Sequence, residues 1–219
     1  MWRAIRRLDW THKKDGGGQR AERGRARRLA RSGCHARPAP PHQFVFVDES
    51  STHTALTRRY GWAPHDQRAS GSAPRNHGKN TTLVAMLTPD PDGLQKPWLL
   101  VEGAMNTESF EWYIREQVTP RLQPGQSVVM DNLSAHKAAS IREALAACGC
   151  DLLFLPPYPP DFSTIEQAFS KLKAILRGLG ARTQETLQAA VRLAVAAITS
   201  ADVAAWYAHA GYPLPAQPI

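Results

Sequence analysis

Three acidic residues stand where they could act together on a phosphodiester. Asp48 follows the apolar run at 44–47, Asp131 follows the apolar run at 127–130, and 34 residues separate Asp131 from Glu166. Magnesium prefers carboxylate oxygens, and two divalent ions about 3.5–4 Å apart can activate the attacking and leaving oxygens of a phosphodiester. The pattern therefore predicts a two-metal site in which Asp48 bridges both ions while Asp131 and Glu166 each hold one.

Each of these acidic residues also has a purely structural explanation. Asp48 can end a strand at the surface, and Asp131 can turn the chain before the next helix through its side-chain oxygens. Ser163 and Glu166 have the spacing of a capping box, in which the two residues bond reciprocally at a helix start. One sheet with a neighbouring helix would instead account for all three positions together.

An α/β arrangement must position these residues. Short apolar runs bounded by turn residues predict strands, and longer runs with helical spacing predict helices. The predicted strands are 44–47, 81–87, 97–103, 127–130 and 151–155, and the predicted helices are 107–118 with Thr107 as N-cap, 136–148, the helix of Glu166, and Thr183–Tyr207. The first three strands form an antiparallel meander, and the later strand–helix–strand spacing implies parallel pairing. The predicted fold is a mixed sheet flanked by helices.

The helix that carries Glu166 has two distinct rows of residues. Its apolar stripe consists of Ile165, Phe169, Leu172 and Leu176. The row one residue along consists of Glu166, Ser170, Lys173 and Arg177. Because this spacing keeps residues on one face of a helix, Glu166 is expected to share a face with two cations.

The positive charge of the chain is concentrated at its beginning. The formal net charge is +8, but residues 1–42 hold 12 basic and 3 acidic residues, a net +9, whereas residues 43–219 hold 15 and 16, a net −1. Apart from a short amphipathic helix predicted over Met1–Thr11, we expect residues 1–42 to be a disordered basic arm. A catalytic domain at 43–180 and a C-terminal helix and tail at 181–219 follow. A basic arm on a near-neutral domain favours a nucleic acid partner, and a solvated tail is the alternative.

Several basic side chains outside the arm are candidates for contacts with DNA phosphates. They are Arg58, Arg59, Arg75, Lys79, His136, Lys171, Lys173 and Arg177. The first four are interleaved with aromatic residues in a polar stretch, a composition suited to tracking a DNA backbone. A solvated loop, a solvated helix face and a structural bond of His136 are the alternatives.

Other classes of protein are disfavoured by composition. No run of apolar residues approaches the length of a membrane span, and the first ten residues have no apolar core of a signal peptide, so we expect a cytoplasmic, nucleoid-associated protein without a membrane partner. The three cysteines are Cys34, Cys148 and Cys150. They make neither an even disulfide framework nor a convincing zinc site.

Five motifs together resemble the DDE endonuclease domain of bacterial insertion-sequence transposases of the mariner superfamily. They are FVDES at 46–50, YGWAP at 60–64, GKNTTLVAML at 78–87, DNLSAHK at 131–137 and LPPYPPDFSTIEQAFSKLK at 155–173. The resemblance covers about residues 43–180, and the spacing of the second aspartate and the glutamate is that of the family. It implies an RNase H-like fold, and by motif match Asp48, Asp131 and Glu166 take the catalytic and metal-binding roles.

The same resemblance implies a reaction and partners. Two Mg²⁺ ions, with Mn²⁺ as substitute, would support cleavage of double-stranded transposon ends by water and attack of the freed 3′-hydroxyl on target DNA. We expect a homodimer. Relatives carry helix-turn-helix modules before the catalytic domain, whereas MWRAIRRLDWTHKK at 1–14 resembles only the last of their helices. We therefore expect a displaced reading frame between about Lys14 and Pro40, or a separately encoded helix-turn-helix subunit.

The sequence departs from the family pattern at three places. Pro159 stands where the family has serine, Phe162-Ser163-Thr164 stands for Leu-Asn-Pro, and His65-Asp66 replaces basic and glycine residues. These departures affect loops rather than the three acidic residues. A catalytically silent remnant that binds DNA, and a stand-alone RNase H-like nuclease, remain the alternative functions.

Overall fold

Seven strands and five helices lie in the part of the chain that the computed structural model describes, which comprises residues 10–14, 43–90, 94, 97–131, 139–155, 163–212 and 214. The strands are β1 (Trp10–Lys14), β2 (Phe44–Thr52), β3 (Tyr60–Pro64), β4 (Thr81–Leu87), β5 (Trp98–Glu102), β6 (Ser127–Met130) and β7 (Asp151–Phe154). The helices are α1 (Thr107–Trp112), α2 (Ala139–Ala147), α3 (Thr164–Leu179), α4 (Gln184–Ala196) and α5 (Ser200–His209). A π-helical segment at Tyr113–Val118 and a 3-10 turn at Thr119–Arg121 continue α1.

The central sheet is mixed, as predicted. Its five strands run in the order β5, β4, β2, β6, β7. The meander of β2, β4 and β5 is antiparallel, and β2, β6 and β7 are parallel neighbours. The parallel half requires crossover connections, one of which contains α2. The topology thus confirms both the predicted meander and the predicted strand–helix–strand unit.

Side-chain alternation along the strands builds a separate core on each face of the sheet. On β2, Phe46 belongs to the core formed with α3, α4 and α5, whereas Val45 and Val47 belong to the core formed with α1 and α2. On β6, Val129 joins the first core and Val128 joins the second. Because side chains alternate with a period of two, residues in phase with Phe46 and Val129 face α3.

The helix predicted over Met1–Thr11 is wrong at its described end, which is a strand. Trp10 and Thr11, expected to close a helix, lie in β1, which pairs antiparallel with β3 so that Trp10 is opposite Pro64 and Lys14 is opposite Tyr60. A short helix is only marginally stable by itself, even when its apolar residues have helical spacing. Pairing with β3 gives the backbone N–H and C=O groups of this segment hydrogen-bond partners instead. The rest of the predicted arm lies outside the described residues.

Two helix predictions also need correction. The N-cap of α1 is Asn106, whose side-chain oxygen accepts a hydrogen bond from the backbone N–H of Ser109 at 2.8 Å, so Thr107 is the first helical residue. The segment expected to be one helix is two, α4 and α5, bent by 75°. Thr199 begins α5 through a capping box with Asp202, and this competing helix start breaks the continuous pattern.

The helix faces themselves agree with the predictions. The apolar residues that recur at helical spacing in the predicted helices 107–118 and Thr183–Tyr207 are buried: Phe110, Tyr113, Ile114, Val118, Leu187, Val191, Ala194 and Ile198. Within the described residues, no single helix is long and apolar enough to cross a membrane, and α4 and α5 meet that criterion only when taken together across their bend.

Candidate active site

Asp48 lies on the face of β2 that points towards α3. It is two residues beyond Phe46, so strand alternation places both side chains on the same face. Asp48 is half-buried, and its Oδ1 accepts a hydrogen bond from the backbone N–H of Glu49 at 2.7 Å. The prediction that Asp48 ends the strand is wrong. Strand β2 continues to Thr52 because β4 pairs with it there, whereas the paired residues of β6 end opposite Phe46.

Asp131 directly follows β6, the parallel neighbour of β2. In the register of these strands, Phe46 is opposite Val129. Asp48 and Asp131 are each two residues further along, so both stand at the same end of the sheet. Asp131 is half-buried. Residues 132–138, which would show whether Asp131 caps the following helix, lie outside the described residues.

Glu166 is in the first turn of α3 and exposed at the helix surface. The predicted apolar stripe of this helix is confirmed, since Ile165, Phe169, Leu172 and Leu176 are all buried. Ser163 is the N-cap of α3, but its side chain makes no capping hydrogen bond. A capping box requires a hydrogen bond from the backbone N–H of Glu166 to the Ser163 side chain, and that bond is not formed.

A pocket of about 470 Å³ brings Asp48 and Glu166 together. All four residues of the polar row on α3 are among its lining residues, which are Asp48, Glu49, Ser50, Arg59, Glu166, Phe169, Ser170, Lys173 and Arg177. Asp131 is not in this lining, although the strand register places it beside Asp48. The prediction that Glu166 shares a face with two cations is thus confirmed, and the face opens onto Asp48.

The cations of the pocket interact with one another and with Asp48. Burial lowers the pKa of Lys173, the positive charges of Arg177 and Arg59 lower it further, and Asp48 acts in the opposite direction. Burial also lowers the pKa of Arg177, with Arg59 adding to this effect and Tyr60 opposing it. Three positive charges from two segments of the chain therefore sit close enough to repel each other.

The sequence matches a family model for the DDE superfamily endonuclease over residues 43–188, about two-thirds of the protein. The chain belongs to the DDE superfamily of endonucleases. The match contains all three acidic residues and the strands and helix that carry them. No curated protein sequence gives a significant match to the chain.

Solved structures of Mos1 transposase share the fold of this DDE domain. A Mos1 paired-end complex with the left transposon end is 19% identical with a TM-score of 0.61, covering 77% of this chain and 52% of that one. A pre-cleavage Mos1 transpososome is 18% identical with a TM-score of 0.58, covering 78% and 53%. The Mos1 catalytic domain alone is 15% identical with a TM-score of 0.56, covering 78% of both chains. The likeness confirms the predicted RNase H-like architecture, and the chain spans about half the length of the transposase in the complexes.

The other basic candidates are distributed unevenly around the DDE domain. Arg58, Arg75 and Lys79 are exposed, and Lys79 pairs with Glu102 at 3.1 Å. Lys171 is turned to a different neighbour, because its ammonium forms an ion pair with Asp202 that ties α3 to α5. Among the lysines and arginines predicted to contact DNA, Arg59, Lys173 and Arg177 are the ones that line the pocket. His136 lies outside the described residues.

Some residues of the pocket were not foreseen from the sequence. Glu49 and Ser50 line it because β2 extends past Asp48. His53, just beyond β2 and outside this lining, has its ring centroid 4.6 Å from that of His77, and its pKa is lowered by burial and then by His77, Arg177 and Lys173. Strand length and loop packing determine these positions, and neither leaves a periodic pattern in the sequence.

The acidic residues fit a divalent metal in the kind of donor that they offer. All three candidates supply carboxylate oxygens, the ligands that Mg²⁺ and Mn²⁺ prefer. In the described part of the chain, however, no three Asp, Glu, His or Cys side chains are close enough to hold one ion together. Asp48 and Glu166 share the pocket, and Asp131 stands at the end of the adjacent strand.

Proposed function

We propose that this DDE domain is the catalytic domain of a transposase and cleaves and joins double-stranded DNA. The observation that carries the proposal is the pocket in which Asp48 and Glu166 face Arg59, Lys173 and Arg177, within a chain of the DDE endonuclease superfamily. Acidic side chains suit metal ions, and the adjacent cations suit a phosphate backbone. The pocket therefore has groups for both partners of a metal-dependent phosphoryl transfer.

Asp48, Asp131 and Glu166 are the residues that we propose hold two Mg²⁺ or Mn²⁺ ions. Such ions, when bound, supply activation of the attacking oxygen and stabilisation of the leaving oxygen. Mos1 structures with Mg and with Mn support the choice of metal. Asp48 is half-buried, shares the pocket with Glu166 and lies on the strand next to that of Asp131, so its carboxylate would be the one to hold both ions.

The basic side chains have the complementary task of binding the DNA strand. Arg59, Lys173 and Arg177 lie beside the acidic residues, and the exposed Arg58, Arg75 and Lys79 extend the positive surface along the 58–79 segment. We propose that these groups hold the phosphate backbone, while His136 and Lys171 stay predictions from the sequence. Transposon-end DNA in the Mos1 complexes supports DNA as the partner.

Nicking of supercoiled plasmid in the presence of Mn²⁺ tests the proposed cleavage directly. Asp131→Asn removes one charge at the end of β6 and should abolish nicking. Asp151→Asn is the matched control, because Asp151 is exposed at the opposite, amino-terminal end of the neighbouring parallel strand β7 and should nick like the unchanged protein. Equal nicking by Asp131→Asn and the unchanged protein would contradict the proposed role of Asp131.

A DNA-binding chain without cleavage activity is the second candidate function. Its supporting observation is the basic segment at residues 1–42, which carries a net charge of +9 and can bind DNA without any cleavage. Plasmid binding by the folded protein without any Mn²⁺-dependent nicking would favour it. Nicking without joining of transposon ends would instead favour a stand-alone nuclease of the same fold.

The wider assembly follows from the same proposal. We propose a homodimer that acts on transposon ends and target DNA. We place it in the nucleoid of the cytoplasm. Helix-turn-helix modules, which a separate subunit can supply, would recognise the transposon ends. Light scattering of the protein with and without end DNA would measure the oligomeric state. Strict monomers in both samples would exclude the dimer.

A further inference from the structure

The 53–80 segment leaves the sheet after β2, returns to it in β4 and brings Arg59 to the pocket. Its two ends are tied to each other. The Thr54 hydroxyl donates a hydrogen bond to the carbonyl oxygen of His77 at 2.9 Å, and the ring centroids of His53 and His77 are 4.6 Å apart. The segment is therefore closed at its base, and the contacts that fix this base also limit the position of Arg59.

Arg182, in the connection between α3 and α4, holds the start of the 53–80 segment. Its Nη1 donates hydrogen bonds to the carbonyl oxygens of Thr54 and Leu56, both at 2.9 Å. Hydrogen bonds from a charged donor are stronger than those between neutral groups. Arg59 is three residues beyond Leu56, and three residues span at most about 11 Å. Holding the carbonyl of Leu56 therefore restricts where Arg59 can lie.

Gln184, the first residue of α4, holds the return of the 53–80 segment. Its side-chain nitrogen donates to the carbonyl oxygen of Lys79 at 3.1 Å, and its side-chain oxygen accepts a hydrogen bond from the Thr81 hydroxyl at 2.9 Å. Gly180 ends α3 with a φ of 61°, a left-handed conformation that glycine adopts without strain, and the chain then turns into Arg182 and α4. One short connection thus contacts both ends of the segment.

This connection joins two walls of the pocket. Helix α3 contributes Glu166, Lys173 and Arg177 and ends at the connection, whereas the 53–80 segment contributes Arg59. Arg59 is exposed, and ordering a long exposed side chain on a free segment costs conformational entropy when a ligand binds. Fixing the base of the segment in advance lowers that cost.

We propose that Arg182 and Gln184 are positioning residues for DNA binding at the pocket. By holding the two ends of the 53–80 segment against the end of α3, they keep Arg59 in the pocket that Glu166 also lines. The inference rests on the proposed function, which takes Arg59 as a contact to a DNA phosphate. Neither Arg182 nor Gln184 contacts the DNA, and both act through Arg59.

Double-mutant cycles on the salt dependence of DNA binding test this role. Fluorescence anisotropy of a labelled short duplex, with chelator present, gives the slope of log affinity against log salt. Loss of one phosphate contact makes this slope shallower by about one. We expect that loss in Arg59→Gln, in Arg182→Gln and in Gln184→Ala. Each positioning variant combined with Arg59→Gln should again lose about one rather than two, because the single effects share one contact.

The choice of variants separates positioning from loss of charge. Gln184→Ala removes no charge, so a shallower slope in that variant has to arise through another residue. Arg192→Gln removes an exposed positive charge from α4 and should bind like the unchanged protein. Arg182→Lys keeps a donor nitrogen for the two carbonyls and should keep most of the slope. Equal losses in Arg182→Lys and Arg182→Gln would count against these hydrogen bonds as the cause.

Arg59→Gln distinguishes failure of the positioning role from failure of the proposed function. An unchanged slope in Arg59→Gln would contradict the proposed phosphate contact, and the positioning role with it. A loss of about one in Arg59→Gln, together with unchanged slopes in folded Arg182→Gln and Gln184→Ala, would overturn the positioning role alone. A loss of about two when Arg182→Gln is combined with Arg59→Gln would also overturn it, because Arg182 would then contact a phosphate itself.

Discussion

Single side chains connect the sheet to the helices that pack on the same face of it as α3. Tyr207 of α5 is buried, and its hydroxyl donates towards the carbonyl oxygens of Phe44 at 2.9 Å and Leu87 at 3.2 Å. Phe44 begins β2 and Leu87 ends β4, so this one hydroxyl contacts both strands at the end of the sheet opposite Thr52. The ring of Tyr207 also packs edge-on against Phe46 at a centroid distance of 5.6 Å.

Removing this hydroxyl should destabilise the protein without emptying the core. We expect Tyr207→Phe to lower the free energy of unfolding by about 1–2 kcal/mol, because the buried carbonyls lose a donor while the ring stays in place. Urea unfolding followed by circular dichroism would measure the change. Tyr60→Phe, at a tyrosine that is 46% exposed, is the control and should change stability little. An equal change in the two variants would contradict the role assigned to the hydroxyl.

The sequence predicts which side chains line the pocket where their positions depend on a local pattern. The row Glu166, Ser170, Lys173 and Arg177 follows from helical spacing, and the pocket contains every member of it. Arg59 had no such pattern, because its proximity to that row depends on how the chain returns after β2. Helical spacing does not predict the partner of Lys171, two residues before Lys173, which pairs with Asp202 because α5 packs beside α3.

Among the secondary structure elements, α3 and α5 are joined by a small polar network around Asp202. Its carboxylate accepts hydrogen bonds from Lys171, from the backbone N–H of Thr199 at 2.8 Å and from the Thr199 hydroxyl at 2.7 Å. These contacts, with Lys171 contributing most, lower the pKa of Asp202 to about 2. The start of α5 and the polar side of α3 are thereby fixed to each other.

This network should make part of the stability depend on pH. The pKa of Asp202 is lower in the folded protein than the value of about 3.9 expected when unfolded. Its stabilising contribution is therefore complete above the unfolded value and is lost as the pH falls towards about 2. The difference in unfolding free energy between the unchanged protein and Asp202→Asn should shrink between about pH 5 and about pH 2. A constant difference across this range, measured by urea unfolding, would contradict the assignment.

Elements were predictable to different degrees for physical reasons. Strands β4 and β6 have the predicted bounds, because their apolar runs are buried on both faces and end at turn residues. Strand β2 is longer than its apolar run, because hydrogen bonds to β4 continue through Asp48 and Glu49. The split between α4 and α5 was missed, since alanine-rich spacing continues through the break while capping at Thr199 ends it.

At the scale of the whole molecule, the positive charge is concentrated in the first 42 residues, and the remainder is nearly neutral. Residues 1–42 carry a net +9 and residues 43–219 a net −1. If DNA is the substrate, the basic segment should supply much of the non-specific affinity through counterion release. The lining of the pocket has equal numbers of acidic and basic side chains. It should therefore orient the DNA strand rather than add much non-specific attraction for DNA.

Neutralising the arginines between residues 20 and 37 should reduce the salt dependence of DNA binding. Replacing all seven of them by glutamine should weaken binding at low salt and make the slope of log affinity against log salt shallower by up to about six, if each contacts a phosphate. Fluorescence anisotropy across a salt series would measure this slope. Replacement by lysine keeps the charge and should leave the slope unchanged. An unchanged slope in the glutamine variant would assign DNA affinity to the remainder of the chain.

The sequence by itself determined the acidic residues, the two-row helix and the α/β order, because each depends on local spacing of side chains along a strand or a helix. Only the tertiary structure decided that Arg59 joins Lys173 and Arg177, that Lys171 turns to Asp202, and that Asp48 lies within a strand rather than at its end. These outcomes depend on contacts between residues far apart in the chain. Such contacts depend on packing and on hydrogen bonds between strands. The periodicity of a single segment predicts neither of them.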